Sequence, residues 1–381
     1  MEEERTGLLQ LKEAFKFPNS SAFSSWSEEQ KDCCAWEHVK CDVISKRVFQ
    51  LSLNEITNIS SIDGEEDWYK DWYFSLNLSL LLPFRELKNL SLRWNLLTGF
   101  TGEMRSSKLQ YLDLGYNDLT EIPSFLSGQK SLKYLDLWGN YLTNSSHSKG
   151  FMGEMISSKL QYLDLGDNDL TEIPSFLSEQ KSLKYLNLGR NYLTNLSHFK
   201  DLAILSTLET LNLDHNDITG NIPWFIGSLA SLKALSFNHN ELTGFSPEGF
   251  KGEMRSSKLQ YLDLSYNRLT EIPSFLSGQK SLKYLNLKFN GLTNLSYFKD
   301  LTTLRWLETL NLGFNEITGN IPHFIGSLAS LKALSFSFNK LTGFPPEGEL
   351  ITHLCFCIGF HVKEQCNIQF LLKLLIILCP H

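Results

Sequence analysis

Seven cysteines offer two kinds of chemistry, disulfide formation and metal binding, and they lie in two groups at the ends of the chain. Three are in the stretch KDCCAWEHVKCD, which begins at Lys31, and four are in the last 27 residues. The middle of the chain has none, which fits cross-links that protect chain ends in an oxidising compartment. The cysteines are Cys33, Cys34, Cys41, Cys355, Cys357, Cys366 and Cys379.

The C-terminal group also contains histidines, so it has the residue types of a zinc site. His353, Cys355, Cys357, His361 and Cys366 are the possible ligands, but their spacing matches no closed four-ligand pattern. We therefore predict no metal site. The apolar run from 370 to 378 contains a lysine and has fewer than half of the roughly 20 residues that a membrane-spanning helix needs. We interpret residues 349–381 as a non-repeat tail of uncertain structure.

Enzymatic motifs are missing from the sequence. It contains no G-x-S-x-G, no Walker-type G-K-[ST], no H-E-x-x-H and no kinase signature. The net charge of −7 and the lack of a Lys/Arg block argue against nucleic acid as a partner. We predict no catalytic residues, no cofactor and no enzymatic activity.

The dominant feature is an internal repeat with the pattern L-x-x-L-x-L-x-x-N-x-L/I-T. In L-x-L the two leucines lie on one side of a strand, and one short half-apolar strand is unstable alone. Stacking successive strands in parallel buries the leucines in one continuous core. The first leucine of each unit is Leu87, Leu109, Leu132, Leu160, Leu183, Leu208, Leu232, Leu259, Leu282, Leu307 or Leu331, and a degenerate unit opens at Val48.

An asparagine recurs at the end of the pattern, where the chain must turn between strands. Buried turn groups need hydrogen-bond partners, and an amide side chain can both donate and accept. We therefore predict a structural role rather than a ligand site for this column. It comprises Asn95, Asn117, Asn140, Asn168, Asn191, Asn216, Asn240, Asn267, Asn290, Asn315 and Asn339.

These units resemble the plant extracellular type of leucine-rich repeat, L-x-x-L-x-L-x-x-N-x-L-T/S-G-x-I-P. LNLDHNDITGNIP from Leu211 and LNLGFNEITGNIP from Leu310 fit almost completely. The resemblance implies an α/β leucine-rich repeat solenoid, with a curved parallel β-sheet on the concave side and irregular, 3-10 or short helical segments on the convex side. We predict a small helical N-terminal cap at 1–47, about 12 repeats at 48–348 with an insert at 54–86, and the tail at 349–381.

CCAWEHVKC, which begins at Cys33, resembles the cap motif C-C-x-W-x-x-V-x-C of this family. The resemblance implies a disulfide between Cys34 and Cys41. In plant receptor-like proteins a further cysteine commonly precedes a stretch like EEER, so we expect that the partner of Cys33 lies before Met1. A free buried thiol and a Cys33–Cys41 pair remain open alternatives.

We number the x residues of L-x-x-L-x-L-x-x-N as positions 1 to 5. Positions 2 to 5 face away from the leucines, and twelve strands about 4.8 Å apart would give a face of roughly 50 Å. Aromatic and charged residues recur there, which is typical of a recognition surface. The candidates are Trp94, Tyr111, Tyr116, Tyr134, Trp138, Tyr162, Asp167, Tyr185, Arg190, Asp214, His215, His239, Tyr261, Tyr266, Tyr284, Lys288, Phe289, Phe314 and Phe338.

Position 3 carries Asp113, Asp136 and Asp164 on successive units, and mutual repulsion would favour a cationic group there or raise a pKa. Asp or Asn is also common at this position of the repeat type, so a structural role is the main alternative. Seven N-x-S/T sequons suit a secreted protein. They are at Asn19, Asn58, Asn77, Asn89, Asn144, Asn195 and Asn294. A glycan on Asn89 would obstruct one end of the face.

The resemblance implies a receptor-like protein ectodomain at the extracellular side of the plasma membrane. Such a protein binds a peptide, oligosaccharide or protein ligand in plant defence or development and signals through a leucine-rich repeat receptor kinase. A secreted polygalacturonase-inhibitor-like protein and a non-functional fragment are the alternatives. MEEERTGLLQLK has no apolar export signal and no membrane helix follows. We therefore expect a chain truncated at both ends.

Overall fold

A computed structural model describes residues 2–15, 21–56, 73–104, 108–144, 157–194, 196–222, 224–245, 258–293, 301–321, 325, 327–343 and 355–357. Within these ranges the fold is a repeated strand–turn–3-10 solenoid with one α-helix at the N-terminus. This confirms the predicted solenoid with its parallel sheet and N-terminal helix. The contacts divide the chain into two compact units, Met1–Tyr192 and Leu193–His381.

The first unit begins with helix α1 (Glu2–Ala14) and contains the strands of the cap and the first repeats. These strands are β1 (Val39–Cys41), β2 (Val48–Ser52), β3 (Phe74–Asn77), β4 (Asn89–Ser91), β5 (Leu97–Thr101), β6 (Tyr111–Asp113), β7 (Tyr134–Asp136), β8 (Tyr162–Asp164) and β9 (Tyr185–Asn187). Short 3-10 helices lie at Ser21–Phe23, Cys33–Ala35, Leu78–Leu81, Ser124–Gly128 and Ser175–Glu179.

The second unit continues the same alternation. Its strands are β10 (Thr210–Asn212), β11 (Thr219–Ile222), β12 (Ala234–Ser236), β13 (Glu241–Phe245), β14 (Tyr261–Asp263), β15 (Tyr284–Asn286), β16 (Thr309–Asn311), β17 (Thr318–Asn320), β18 (Ala333–Ser335), β19 (Lys340–Gly343) and β20 (Cys355–Cys357). The 3-10 helices are Leu196–Ile204, Trp224–Ser228 and Ser274–Gly278.

The cap packs an amphipathic helix onto the first strands. Leu8 and Leu11 of α1 and Phe15, which follows it, are fully buried. The three glutamates in the first turn stabilise the helix, because their negative charges lie at the positive end of the helix dipole. Strand β1 pairs antiparallel with β2, so the cap contributes a strand as well as the predicted helix. Trp26 and Trp36 stack with ring centroids 5.6 Å apart and fill the space beneath the helix.

Each repeat places its strand parallel to the strand before it. In the first unit Tyr111 pairs with Tyr134, Tyr134 with Tyr162, and Tyr162 with Tyr185, so equal repeat positions lie side by side. In the second unit the same register joins β12, β14, β15, β16, β18 and β20. The three apolar positions of each pattern are buried, as the strand periodicity predicts, including Val48, Phe237 and Phe336 where they replace leucine.

The recurrent asparagines close the turns by hydrogen bonds, which confirms their predicted structural role. Asn117 Nδ2 donates to the carbonyls of Leu92 and Leu114 at 3.0 and 2.9 Å. Its Oδ1 accepts the N–H groups of Asn95 and Leu97, both at 3.1 Å. One amide thus satisfies backbone groups of two successive repeats, and the same pattern recurs from Asn95 to Asn339.

A second, short parallel strand forms only in some repeats. β3 pairs with β5, β11 with β13, and β17 with β19. The strands β5, β11, β13, β17 and β19 contain the Thr-Gly of the L/I-T-G units, whereas the described T-E-I-P segments form no such strand. Gly220 and Gly319 have φ of +82° and +83°, a left-handed conformation that glutamate at the matching T-E-I-P position would adopt only with strain.

The predicted insert at 54–86 is described only in part. Residues 57–72, with the Trp68/Trp72 and Tyr69 pattern, lie outside the described residues. Residues 74–81 form β3 and a 3-10 helix whose Leu78 and Leu81 are buried. The end of the insert therefore contributes to the packing of the first repeat.

Candidate functional site

In each unit, positions 2 to 5 of the repeats lie on the side of the parallel sheet away from the leucine core, and we call this side the sheet face. In each unit the register places equal positions of successive repeats next to one another, so the face consists of four rows. The candidates of the first unit are Trp94, Tyr111, Tyr116, Tyr134, Trp138, Tyr162, Asp167, Tyr185 and Arg190. Those of the second unit are Asp214, His215, His239, Tyr261, Tyr266, Tyr284, Lys288, Phe289, Phe314 and Phe338.

The tyrosines at position 2 stack into a ladder in the first unit. The centroids of Tyr111 and Tyr134, of Tyr134 and Tyr162, and of Tyr162 and Tyr185 are 4.3, 4.2 and 4.3 Å apart. Their planes are within 14° of parallel. Burial raises the pKa of all four phenols, so these rings stay neutral and present a fixed, half-buried aromatic strip.

Position 3 is buried in the first unit and half-buried in most repeats of the second, which differs from its predicted orientation toward solvent. Asp113, Asp136 and Asp164 are only 6 to 7% exposed, and each accepts the N–H two residues further on at 2.9 to 3.0 Å. Asn187, Asn212 and Asn286 accept the equivalent N–H. The preference for Asp or Asn here therefore follows from the turn at the strand end, as in the structural alternative.

The predicted cation for this acidic row is within the chain itself. Arg93 Nη1 lies 3.5 Å from Asp113 Oδ1 and 3.1 Å from Asp136 Oδ2. Burial raises the pKa of Asp136 to about 6, and the charges of Asp113 and Asp164 add to the rise, while the Trp138 N–H and Arg93 oppose it. Burial likewise raises the pKa of Asp164. The row is thus partly compensated before any ligand arrives.

Arg93 was not among the residues selected from the sequence, although it occupies position 4 beside Trp94. Its guanidinium lies 4.5 Å from the centroid of Tyr116. A Cβ on Gly115, at position 4 of the next repeat, would come within 2.5 Å of Nη1. A Cβ on Gly166 would likewise meet the indole of Trp138. Arg93 and Trp138 therefore each lie over the position-4 glycine of the next repeat. A glycine at position 4 directly after a repeat with a large position-4 side chain is the sequence signal that would have indicated this arrangement.

Position 5 lies in the turn that follows the strand, and its residues adopt a left-handed backbone conformation. Ten residues from Trp94 to Phe338 have φ between +51° and +61°, and none of them is β-branched. β-Branched residues are strongly disfavoured at positive φ, which explains their exclusion. Because φ repeats, the side chains leave the backbone in the same direction and their rings meet.

The second unit carries the longest such arrangement, which we call the ring row. It consists of His215, His239, Tyr266, Phe289, Phe314 and Phe338. Neighbouring centroids are 3.9 to 4.3 Å apart, with planes within 21° of parallel. Tyr266 is 36% and Phe338 47% exposed. In the first unit Trp94 and Tyr116 stack at 3.9 Å, and Trp94 is 42% exposed.

Three further candidates differ from these rings. Asp167 and Arg190 hold position 5 in the first unit, where they replace rings with charges, and Arg190 is exposed. Asp214 is half-buried at position 4 in the second unit, and burial raises the pKa of its carboxyl. Its Oδ1 accepts the N–H of Asn238 at 2.7 Å, so this carboxylate also joins neighbouring repeats.

The cap contains the disulfide that the family resemblance implied. Cys34 and Cys41 are bonded, with Cα atoms 5.5 Å apart, and Cys33 is a free buried thiol. Burial raises the pKa of this thiol, and the charges of Glu4 and Asp32 add to the effect. The alternative pairing of Cys33 with Cys41 is therefore wrong in this structure.

Three of the seven sequons fall on described asparagines with ordered side chains. Asn77 Oδ1 accepts the N–H of Ser79, and Asn144 bonds to Thr171 and Glu172 of the next repeat. Asn89 lies on the sheet face between Gln50 and Tyr111. Asn19, Asn58, Asn195 and Asn294 lie outside the described residues. Glycosylation of any of these sites stays a prediction.

Metal and membrane features can be judged only for the described ranges. Within them no group of three or more Asp, Glu, His or Cys side chains is placed to hold a metal ion. His353, His361 and Cys366 lie outside the described residues, and Cys355 and Cys357 are described only as part of β20. No described helix has both the length and the apolar character that crossing a bilayer requires.

Family models match most of the chain. A Leucine rich repeat N-terminal domain model matches residues 1–42. Leucine rich repeat models match residues 85–142, 158–218 and 206–269, and two further repeat models match 257–304 and 306–328. Together the repeat matches cover more than half of the chain.

Individual proteins extend this similarity. Receptor-like protein 1 of Arabidopsis thaliana is 32% identical over 405 residues, which is 87% of this chain and 34% of the relative. The chain therefore spans about a third of that relative's length. The crystal structure of PEPR1–AtPEP1 matches with a TM-score of 0.60 at 24% identity. The match covers 93% of this chain and 52% of that chain. A leucine-rich repeat protein of Leptospira interrogans has a TM-score of 0.58 at 31% identity, with 70% of each chain covered.

Proposed function

Because this chain belongs to the leucine-rich repeat family and carries the leucine-rich repeat N-terminal domain, we propose that it is a non-enzymatic recognition module that binds an extracellular ligand. The ligand class is a peptide, an oligosaccharide or a protein surface, and the sheet face is the binding surface. By analogy with the receptor-like proteins to which it is similar, it would act at the cell surface with a receptor kinase as signalling partner.

The observation that carries the proposal is the arrangement of exposed rings on a rigid frame. The ring row and the Trp94–Tyr116 pair are fixed by repeated backbone geometry and by stacking on their neighbours. Side chains that are already ordered lose little conformational entropy when a partner binds. Aromatic residues on such a surface are also the residue type that most often contributes binding energy.

The titratable groups of the face support recognition rather than catalysis. Asp113 and Asp136 accept backbone N–H groups and contact Arg93, and Asp164 accepts from Gly166 and from Asn187 Nδ2 at 2.9 Å. A general base needs a free lone pair directed at a substrate. These carboxylates instead hold the strand ends and neighbouring repeats in place.

The disulfide in the cap supports an extracellular location, since such bonds persist in oxidising compartments. The alternative of a soluble enzyme inhibitor would use the same face. The identity of the bound partner, a wall enzyme or a receptor kinase with its ligand, distinguishes the two.

The test is capture of ligands from plant extracellular fluid by the chain fused to a secretion signal. A face variant with Trp94→Ser, Tyr266→Ser and Phe338→Ser should lose the captured species. A matched control changes three exposed aromatic residues outside positions 2 to 5, Tyr141→Ser, Tyr192→Ser and Trp306→Ser, and should keep them. Equal capture by both variants would contradict the proposed role of the sheet face.

A further inference from the structure

Lys288 is a cation on the sheet face of the second unit, and within the described residues it has no ion-pair partner. It occupies position 4, and its ammonium lies 4.9 Å from the centroid of Phe289 and 5.0 Å from that of Phe314. The carboxylate of Asp263 on this part of the face already accepts from Ser265 N–H and from Asn286 Nδ2, each at 2.9 Å. The lysine is thus held against two rings with its charge uncompensated by a carboxylate.

Arg93 shows what a compensated cation looks like at the same repeat position. It also contacts an aromatic ring, Tyr116, but its guanidinium bridges Asp113 and Asp136. The two position-4 cations therefore differ in one respect that matters for binding. Arg93 has its counter-ions within the chain, whereas no described carboxylate pairs with Lys288, so its ammonium is available to an anionic ligand.

The rings beside Lys288 favour the same kind of partner. Phe289, Phe314 and Phe338 stack at 4.1 Å, so each interior ring has its faces covered by its neighbours and presents its edge to solvent. Ring edges carry partial positive charge and ring faces partial negative charge. A sugar, which packs on ring faces, would have few exposed ring faces to contact here. A carboxylate, in contrast, would contact the positive ring edges and the ammonium of Lys288.

Small residues leave room for a chain to lie beside these rings. Position 2 is Thr309 and then Ala333, in place of the tyrosines of Tyr261 and Tyr284 in the repeats before them. Position 4 is Gly313 after Lys288. The surface next to Phe314 and Phe338 therefore lacks the bulk that the tyrosine ladder gives to the first unit.

The spacing of the repeats sets the spacing of the groups that a ligand must carry. Neighbouring strands are about 4.8 Å apart, so Phe338 lies roughly 10 Å along the sheet from the repeat of Lys288. A peptide in the polyproline II conformation has three residues per turn and rises about 3.1 Å per residue, so side chains three residues apart lie on the same side of it, about 9 Å apart. Two such side chains would reach Lys288 and Phe338 together.

We propose that Lys288 with Phe289, Phe314 and Phe338 forms a subsite for an acidic peptide segment, in which a carboxylate pairs with the ammonium of Lys288 and an apolar side chain three residues away packs on Phe314 and Phe338. The subsite rests on the proposed function of the sheet face and assigns the ligand class for this part of it.

The test is a ligand-observed NMR titration with two capped peptides, Gly-Glu-Gly-Ser-Phe-Gly and the same peptide with Gln in place of Glu. At low ionic strength we expect the Glu peptide to bind roughly tenfold more tightly, because a charge-assisted hydrogen bond is about twice as strong as a neutral one. The preference should shrink as salt rises. Lys288→Gln should abolish it, and Lys288→Arg should retain it.

Arg93→Gln is the matched control, since it removes a ring-bound cation from the same repeat position and should leave the preference intact. Phe338→Ala should weaken both peptides equally. Equal binding of the two peptides to the parent, a preserved preference in Lys288→Gln, or no binding of the Glu peptide would each overturn the subsite. None of these results bears on capture of a ligand elsewhere on the face, which the face variant tests separately.

Discussion

At the scale of single residues, the repeat imposes two strict local demands. The position-5 residue adopts a positive φ, and the asparagine that follows it must satisfy backbone groups of two repeats. Both demands leave side-chain identity at position 5 free apart from the exclusion of β-branched residues. The backbone therefore does not require rings at position 5, because Asp167 and Arg190 adopt the same conformation there.

Replacing one recurrent asparagine should be costly. In Asn140→Ala, the buried N–H of Leu119 is left without a partner, and the carbonyls of Leu114 and Leu137 each lose one of their two amide donors. We expect a loss of about 3 kcal/mol in the free energy of unfolding, measured by urea titration, because a buried unsatisfied group costs about 1 to 3 kcal/mol and each further lost hydrogen bond costs about 1 kcal/mol. Asn221→Ala changes an exposed asparagine and should stay within about 0.5 kcal/mol of the parent. Similar losses for both variants would contradict the assigned role.

Asp118 should make stability depend on pH. Burial raises the pKa of its carboxyl to about 6 in the folded chain, above the value of about 3.9 expected when unfolded. The folded state therefore binds the Asp118 proton more tightly than the unfolded state. The free energy of unfolding is highest below about pH 4 and falls as the pH rises from there through about 6. Asp118→Asn should be more stable than the parent at pH 7, by about 1 kcal/mol after allowance for solvent screening, and equal to it near pH 4.

Thermal unfolding at both pH values checks this expectation. Asp217→Asn, which alters an exposed aspartate at the same repeat position, is the matched control and should show no such difference between the two pH values. A gain for Asp118→Asn that is the same at both pH values would rule out ionisation as the cause.

At the scale of elements, the L/I-T-G triplet accompanies five of the six short second strands in the described residues, and β3 is the one without it. The described L/I-T-G units form β5, β11, β13, β17 and β19, and the described T-E-I-P units form no strand there. The repeat is thus a mixture of two local structures around one common sheet.

Two glycines separate backbone strain from crowding. A Cβ at Gly220 or at Gly128 would meet no atom within 4 Å, but only Gly220 has a positive φ. We expect Gly220→Ala to lower the free energy of unfolding by about 1 kcal/mol, whereas Gly128→Ala should be neutral or stabilise by up to about 1 kcal/mol. Equal effects of the two changes on the melting temperature would show that backbone conformation is not what requires glycine at 220.

At the scale of the whole molecule, stability in a repeat chain is the sum of each repeat and its contacts with the next. The cap protects the first repeat, since β1 pairs with β2 and α1 packs against the 3-10 helix Leu78–Leu81. The two compact units each bury their own row of leucines. Weakening of the cap should therefore stay local and leave distant repeats unchanged.

Removal of the cap disulfide tests this locality. The Cys34→Ser, Cys41→Ser variant opens a loop with a sequence separation of 7. The loop-closure model gives about 2 kcal/mol for a loop of this size. Hydrogen exchange should accelerate at the amides of β1 and β2 and remain unchanged at β14 and β15. Uniform acceleration along the chain would show instead that the repeats unfold as one cooperative body.

The sequence alone determined the repeat, the buried leucines, the asparagine column and the cap, because each of these depends on local periodicity or on a short motif. It did not show that the position-3 aspartates are buried, since their burial depends on the turn in which each carboxylate accepts the backbone N–H two residues further on. It also missed Arg93, whose value comes from two carboxylates on other strands. Only the tertiary structure decided that Arg93 is paired with carboxylates and Lys288 is not, because an ion pair depends on the distance between side chains of different repeats.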